Sequence, residues 1–305
     1  MSRLRRNHAP CFSPLLLILF LAPANPVFSS PRELRDDVGR RVRLDGTVRR
    51  IVSLAPSVTE TLFALGSGER VVGVTDLCDD PPAARSLPKV GGMVNPDWEA
   101  IVRLRPDLLI ASTSGNDAAT VSRAEKLGLA LYFTDAPDLD HLLASVRRLG
   151  STLGIAERGA ALSASLESRL KKLETATHRQ ARPRVLFLVW VDPPVVPGSK
   201  TFLDDALRRA GLESVTADAP AGWPTFDLEA ILLRRPDWIL AARHNAAALA
   251  SLKDKPGWKE LEAVKRGRIL SVSETIERPS PHVVDAMEEL HREMASAAVT
   301  GGPPR

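Results

Sequence analysis

The stretch DWEAIVRLRPDLLIA at residues 97–111 returns in altered form as DLEAILLRRPDWILA at residues 227–241. In both copies apolar residues recur at intervals of three and four, which indicates one face of a helix. The shared Arg-Pro-Asp then ends the helix, because proline disfavours helical geometry at the residue before it. An apolar run without alternation follows, as expected for a strand buried on both faces. Each copy therefore predicts a helix, a break and a buried strand.

The spacing of 130 residues between the copies indicates duplication of a whole lobe. Solenoid repeats are much shorter, with periods of roughly 20–50 residues. Strands and helices also alternate along the rest of the chain, which predicts parallel sheets covered by helices. We therefore expect an α/β protein with two Rossmann-like lobes and mostly parallel sheets. In such sheets ligands bind at the carboxyl ends of the strands.

The first thirty residues have the pattern of a secretory signal peptide. Three arginines precede an apolar stretch from Leu15 to Ala22, and small and turn-forming residues follow through Ser30. The apolar run is shorter than the roughly 20 residues that span a bilayer. Removal of the segment takes Lys+Arg from 41 to 38, against 37 Asp+Glu. An almost neutral mature chain gives no reason to expect a nucleic-acid partner.

The two cysteines point to a soluble exported protein. Cys11 precedes the apolar run, so it cannot be a lipid-anchored cysteine at the cleavage point. Its removal leaves Cys78 as a lone cysteine, which excludes an internal disulfide.

A single long helix is expected to join the two lobes. Leu162, Leu166, Leu170 and Leu173 line one face among charged residues, which predicts an amphipathic helix. Such a joint should limit hinge motion, so closure around a ligand should be small. The predicted division of the chain is signal peptide 1–30, N-terminal lobe 31–154, interlobe helix 155–181 and C-terminal lobe 182–305.

Two helix starts are predicted from capping residues. Ser57 and Glu60 have the spacing of a capping box, in which the serine accepts from a free N–H and the glutamate reaches back. Asn95, with Pro96 at the first helical position, is interpreted as the cap of the first repeat helix.

No sequence motif indicates catalysis or metal binding. G-x-S-x-G, C-x-x-C and H-E-x-x-H are absent, and the glycine-rich segments 66–71 and 198–201 lack the pattern of nucleotide loops. His282 and His291, on the predicted last helix, are expected to face solvent rather than bind a metal. The aspartate pairs are interpreted as loop or helix-start residues; they are Asp36-Asp37, Asp79-Asp80 and Asp204-Asp205. We expect no catalytic residue and no resident metal.

Tryptophan placement indicates a binding cleft instead. Trp98 and Trp238 lie inside the repeats and are interpreted as core residues. Trp190 ends a predicted strand and Trp223 precedes a proline in a loop, and such loops commonly carry binding sites. An exposed indole suits a flat apolar ligand, contributing roughly 0.5–1.5 kcal/mol per stacking contact beyond area.

Longer segments resemble the periplasmic substrate-binding proteins of the metal-chelate class, whose members carry cobalamin, haem or ferric siderophores to ABC importers. The similarity extends over nearly all of the mature chain and is greatest to the cobalamin-binding branch. The segments are RIVSLAPSVTETLFALGSGERVVGV (50–74), CDDPP (78–82), VGGMVNPDWEAIVRLRPDLLIAS (90–112), WVDPPVVPG (190–198), GWPTFDLEAILLRRPDWIL (222–240) and ERPSP (277–281).

The resemblance implies ligand contacts for particular side chains. Trp190 and Trp223 match aromatic positions that pack on the corrin, and Glu274 with Arg278 matches a polar pair from the second lobe. Leu77 departs from the branch, which can have tyrosine there, and the Gly-Gly-Met at 91–93 stands where it can have tryptophan. The first-lobe positions that match the cleft are Ala55, Pro56, Ser57, Gly92 and Met93.

Glu99 and Glu229 lie off the apolar stripes of the two repeat helices, so both should face solvent. As first-turn acids they are favoured by the helix dipole. The resemblance implies a further role, in which one glutamate per lobe docks into arginine pockets on the importer's membrane subunits. An exposed ion pair contributes only about 0–1 kcal/mol, so docking would set orientation more than affinity.

These features lead to the hypothesis of a soluble, monomeric periplasmic protein that holds a corrinoid between two lobes and delivers it to an ABC importer. Cobalamin would be the cargo, and no cofactor is expected. The alternative within the fold is a ferric-siderophore or haem carrier; a haem would need a tyrosine or histidine ligand. Tyr132, the sole tyrosine, lies in a predicted strand, which argues against haem. An alternative from another class of protein is an exported hydrolase that uses an isolated serine. Such a serine would need a base near it, and no motif in the sequence supplies one.

Overall fold

A computed structural model describes residues 31–178 and 181–300, with side chains through residue 297. The signal peptide predicted at residues 1–30 lies outside these ranges. Within them, no helix combines the length and the apolar character that a bilayer span requires.

The N-terminal lobe is built on a parallel sheet of four strands in the order β4-β3-β5-β6. The first two strands form a separate antiparallel hairpin. The elements are β1 (Arg32–Arg35), β2 (Arg41–Leu44), β3 (Ile51–Ser53), α1 (Pro56–Ala64), β4 (Val71–Val74), α2 (Trp98–Arg103), β5 (Leu108–Ser112), α3 (Ala118–Lys126), β6 (Leu131–Thr134) and α4 (Leu139–Thr152).

A long helix, α5 (Ala156–Thr177), leads to the C-terminal lobe and a second parallel sheet of four strands, in the order β10-β7-β11-β12. A short antiparallel pair, β8 with β9, stands apart from this sheet. The elements are β7 (Arg184–Leu188), β8 (Trp190–Val191), β9 (Pro194–Val195), α6 (Phe202–Arg209), β10 (Glu213–Ser214), α7 (Leu228–Arg234), β11 (Trp238–Ala242), α8 (Ala246–Ala250), α9 (Glu262–Lys265), β12 (Ile269–Val272) and α10 (Val283–Thr300). The α/β class with two parallel-sheet lobes is confirmed.

Both repeats form the predicted helix, break and buried strand. The break is a left-handed residue, Arg105 in the first copy and Arg235 in the second, with φ of 47° and 46°. The aspartate after each proline ties its strand to the neighbouring one. Asp107 accepts from the backbone N–H of Arg50 at 2.8 Å, and Asp237 accepts from that of Arg184 at 3.0 Å. The Arg-Pro-Asp shared by the two copies therefore forms the same turn in both lobes.

The two capping predictions are wrong. The first repeat helix is capped by Asp97, which accepts from the N–H of Ala100, because the chain turns into the helix two residues after Asn95. Helix α1 begins at Pro56 and has no side-chain cap. Glu60 does not reach back to the start of α1, since its carboxylate is engaged by the other lobe.

The core does not stop at the boundary between the lobes. One apolar cluster contains Leu142 of α4 and Leu166 of α5 together with Phe202 of α6 and Met287 of α10. On its polar side, Arg209 donates to Asp140 of α4 at 2.9 Å and to Glu174 of α5 at 2.6 Å. The interlobe helix is therefore embedded between helices of both lobes, which supports the expected stiffness of the joint.

Helices α4 and α5 approach each other through two glycines. A Cβ placed on Gly159 would lie 3.0 Å from the Cα of Gly150 and 3.1 Å from the carbonyl oxygen of Val146. Backbone atoms cannot yield as a flexible side chain would, so the contact requires the absence of a Cβ.

We expect Gly159→Val to lower the free energy of unfolding by about 1–3 kcal/mol, because the valine overpacks the contact between α4 and α5. The matched control is Ala164→Val on the exposed face of the same helix, with an expected cost below about 0.7 kcal/mol from helix propensity. Urea unfolding followed by circular dichroism measures both. Equal losses in the two variants would contradict the proposed packing constraint.

Candidate functional site

The carboxyl ends of the two sheets face each other across the boundary between the lobes. Arg278, after β12, reaches Glu60 of α1 at 2.7 Å. At another point of the boundary, the backbone N–H of Leu139 donates to the carboxylate of Asp205 at 3.0 Å. Two cavities of about 330 Å³ each lie at this boundary and are lined from both lobes. Parallel α/β sheets bind ligands at the carboxyl ends of their strands, and in this protein those ends border the interlobe cleft.

The C-terminal lobe presents two tryptophans to the solvent. Trp190 is 53% exposed and Trp223 is 51% exposed. Trp190 pairs with Val195, and Val195 pairs in turn with Thr225, so the loops that carry the tryptophans form one antiparallel ribbon. Because side chains alternate along such a ribbon, Trp190, Thr225 and Trp223 are expected on one face. Trp190 also donates from its indole N–H to the carbonyl oxygen of Asp192 at 2.8 Å.

The opposite lobe contributes a smaller apolar surface. Leu77 is 62% exposed in the loop after β4. Met93 lies half-buried over Gly115, and the amide of Asn116 donates to its carbonyl oxygen at 2.7 Å, which anchors the Gly92-Met93 loop. At the start of α1, Ala55 and Ser57 are only 1% and 7% exposed and Pro56 is half-buried. A ligand on this side would therefore meet Leu77 and Pro56 more than the side chains of Ala55 and Ser57.

Arg278 is held from the other lobe by a buried carboxylate. The side chain of Glu60 is fully buried, and that of Arg278 is 23% exposed. Glu60 accepts from Arg278 through one oxygen and from Ser280, also buried, through the other. Burial lowers the pKa of Arg278, but the hydrogen bond to Glu60 and the charges of Glu60, Asp79 and Glu274 together raise it more, so its pKa lies above the usual value.

A second polar pair crosses the boundary beside the first. His282 Nδ1 lies 2.8 Å from an Asp80 oxygen, and the side chains are 31% and 40% exposed. The expectation that His282 faces solvent is wrong, because the end of the loop before α10 turns it towards the N-terminal lobe. One ligand atom each of Glu60, Asp80 and His282 lies within 4.8 Å of the others, a grouping that could hold a metal ion. The guanidinium of Arg278 already supplies a positive charge there, which disfavours a cation.

Glu274 and Glu277 precede Arg278 in the same turn. Glu274 is half-buried and lines one of the interlobe cavities with Arg278. Burial raises the pKa of Glu277 to about 7, with a further contribution from the charge of Glu274. Oε1 of Glu277 is buried without a hydrogen-bond partner in the described part of the chain, which disfavours the ionised form.

Tyr132 and Cys78 belong to the N-terminal core. Tyr132 is fully buried and donates to Asp37 at 2.8 Å, and burial raises its pKa far above the usual value. It is therefore unsuited to bind iron in the cleft. The sulfur of the free Cys78 lies 3.1 Å from the hydroxyl oxygens of Thr59 and Thr75. Asp36, one of the aspartates predicted in loops, is also buried. Its carboxylate accepts from the backbone N–H of Arg40 in the turn between β1 and β2.

Glu99 and Glu229 are exposed on the first turns of α2 and α7. Each has an exposed apolar neighbour on its helix. Val102 is 45% exposed in the first copy, and Leu233 is 84% exposed in the second. The repeated unit therefore presents one acidic and one apolar group on the surface of each lobe.

Sequence reasoning missed the residues that join the two sides of the cleft. Glu60 lies 218 residues from Arg278 and Asp80 lies 202 residues from His282, so no local pattern links either pair. The sequence offers one signal, the single charged residue of helix α1, and the capping-box interpretation accounts for it in another way.

The family model described as periplasmic binding protein matches residues 51–275, a range that includes all strands of both four-stranded sheets. The chain belongs to the periplasmic binding protein family. It is thus a binding protein rather than an enzyme.

Two solved structures share this fold, and a relative is similar in sequence over most of its length. The periplasmic vitamin B12 binding protein of Vibrio cholerae is 26% identical, with a TM-score of 0.73 over 82% of this chain and 98% of that one. The periplasmic heme-binding protein of Roseiflexus sp. RS-1 is 28% identical, with a TM-score of 0.75 over 82% of this chain and 99% of that one. An uncharacterized ABC transporter substrate-binding lipoprotein of Bacillus subtilis is 29% identical over 85% of this chain and 84% of its own.

Protonation of Glu277 should make stability depend on pH. Its pKa of about 7 lies above the ordinary value of 4.5, so its contribution is full below about pH 4.5 and is lost as the pH rises through 7. We expect a loss on the order of 1–3 kcal/mol over that interval, with partial exposure favouring the lower end. Glu277→Gln should lack it, whereas Glu69→Gln, at an exposed site, should retain it. Urea unfolding at several pH values measures the difference; parallel curves for wild type and Glu277→Gln would refute the assignment.

Proposed function

We propose that the protein captures a corrinoid, with cobalamin as the cargo, between its two lobes and delivers it to an ABC importer. The observation that carries this proposal is the pair of exposed tryptophans, Trp190 and Trp223, on one ribbon that follows β7 at the carboxyl end of the C-terminal sheet. Flat macrocycles bind to such surfaces, because an indole contributes both apolar area and stacking. Leu77 on the opposite lobe provides a second exposed apolar group, and Glu274 and Arg278 provide polar contacts.

The likeness to the vitamin B12 binding protein of Vibrio cholerae supports a corrinoid, and the likeness to a heme-binding protein supports the alternative cargo. The buried position of Tyr132 favours the corrinoid, since the sole tyrosine of the chain is not available as an iron ligand. His282 is occupied by Asp80. A ferric siderophore would instead need several arginines or other donors facing the cleft, and this cargo is kept as the alternative.

The cargo is tested by mixing the mature protein with cyanocobalamin, haem and a ferric siderophore, followed by gel filtration and calorimetry. We expect coelution with cyanocobalamin. Binding of another chelate in its place would reject the corrinoid and keep the binding-protein function. The same gel filtration tests the proposal that the mature chain is a soluble monomer after removal of its signal peptide.

Truncation of the tryptophans should weaken binding without unfolding the protein. We expect Trp190→Ala and Trp223→Ala each to raise the Kd for cyanocobalamin roughly 5- to 100-fold, from lost stacking and apolar area. Leu127→Ala removes an exposed apolar group outside the cleft and should leave the Kd unchanged. Wild-type affinity in both tryptophan variants would contradict a binding role for the ribbon.

The duplicated glutamates are proposed to dock one lobe each onto the membrane subunits of the importer. Glu99 and Glu229 occupy the same position of the repeat and are both exposed, so they present the same charge at two separated points. Complementary charges across an interface set orientation and association rate more than affinity.

We expect the double variant Glu99→Ala, Glu229→Ala to bind ligand normally and to impair uptake, because docking loses its charged contacts. Ligand affinity by calorimetry and uptake by cells that carry the cognate importer are the two measurements. A control pair, Glu69→Ala with Glu262→Ala, removes one exposed glutamate per lobe outside the repeats and should transport at the wild-type rate. Equal uptake by the two double variants would reject the docking proposal.

A further inference from the structure

Glu60 is a buried carboxylate whose described hydrogen bonds both come from the other lobe. It lies on α1, directly behind the carboxyl end of β3, and its side chain has no solvent exposure. Arg278 donates to one oxygen at 2.7 Å, and Ser280 donates to the other. A buried carboxylate strongly favours partners that neutralise its charge and satisfy its oxygens. Arg278 therefore cannot turn away from Glu60 without a large cost.

This contact constrains a side chain that is otherwise flexible. Arginine has a long stem and loses much rotamer freedom when it is held. In Arg278 the described contacts, to Glu60 at 2.7 Å and to Asp79 at 3.5 Å, use only Nη1. A guanidinium has five N–H donors in a fixed plane, so fixing one nitrogen orients the others. Part of the side chain remains exposed towards the interlobe cavity that it lines.

We propose that Glu60 is the positioning residue for Arg278, and that it aims the remaining guanidinium donors at amide or carboxylate oxygens on the rim of the bound ligand. The inference rests on the proposed function, because Arg278 acts there on the chelate. It follows that Arg278 of the C-terminal lobe is oriented for the ligand only when Glu60 of the N-terminal lobe contacts it.

Glu60 is not alone in joining the two lobes among the described residues. The shared core around α5 and the bonds from Arg209 to Asp140 and Glu174 already join them on the far side of the boundary. A carboxylate that only linked the two lobes would not need to bind Arg278, which lines the cleft. The metal ion that Glu60, Asp80 and His282 could hold would lie beside the same guanidinium, and charge repulsion opposes it.

The test is a double-variant cycle with cyanocobalamin as the ligand. We expect Glu60→Gln to weaken binding about 10- to 100-fold, because the charge-assisted bond that orients Arg278 is lost. Arg278→Gln should weaken it by a similar factor, and the double variant should be no weaker than Arg278→Gln alone. Asp140→Asn, which removes an interlobe ion pair outside the cleft, should leave the affinity unchanged. Losses that multiply in the double variant would overturn the proposal, since Glu60 would then act by another route.

A second measurement is independent of any ligand. In protein labelled with 15N-arginine, the side-chain signal of Arg278, identified by its loss in Arg278→Gln, should show a restrained guanidinium. The signal should become mobile in Glu60→Gln and stay restrained in Asp140→Asn. An unchanged signal in Glu60→Gln overturns the proposal even if a variant of the cycle fails to fold. A restrained guanidinium in a protein that binds no chelate would instead reject the proposed function and keep the positioning contact.

Discussion

The packing of α5 between helices of both lobes is the constraint on which the rest of the structure depends. The same apolar cluster contains residues of α4, α5, α6 and α10, so the lobes cannot separate without exposing it to water. Gly150 and Gly159 bring α4 and α5 into backbone contact, which leaves little room for sliding. Because dense cores resist continuous deformation, the distance between the two sheets is set mainly by this packing. The cleft is therefore largely preformed, and a ligand would bind without paying for a large rearrangement of the lobes.

The orientation of the sheets decides what lines that cleft. All pairs within the two four-stranded sheets are parallel, so each sheet collects the loops after its strands at one edge. The joint places these two edges opposite each other. Polar groups that would be isolated within one lobe then satisfy each other across the boundary, as Glu60 does with Arg278 and Asp80 with His282. The aromatic ribbon with Trp190 and Trp223 remains about half exposed in the described structure.

The duplicated segment has one structural role in the interior and a different, proposed role on the surface. Inside, the Arg-Pro-Asp of each copy makes a left-handed turn and ties the buried strand to its neighbour. Outside, Glu99 and Glu229 repeat one charge on the two lobes. A rigid joint keeps the separation of these charges constant, which is a requirement for simultaneous contact with a partner that has two matching sites. The same stiffness thus supports both the cleft and the proposed docking surface.

The sequence by itself determined the local elements and their duplication, since helix periodicity, buried apolar runs and proline breaks act over neighbouring residues. It also placed Trp190 at the end of a strand, Trp223 in a loop, and Glu99 and Glu229 on solvent-facing helix turns, because these positions follow from element boundaries. It misassigned Asn95 and Ser57 as caps, since cap choice depends on where the chain enters the helix. Only the tertiary structure decided the partners of Glu60 and the environment of His282. Their partners are about 200 residues away, and proximity between such residues arises from how the two lobes pack, which no short-range pattern encodes.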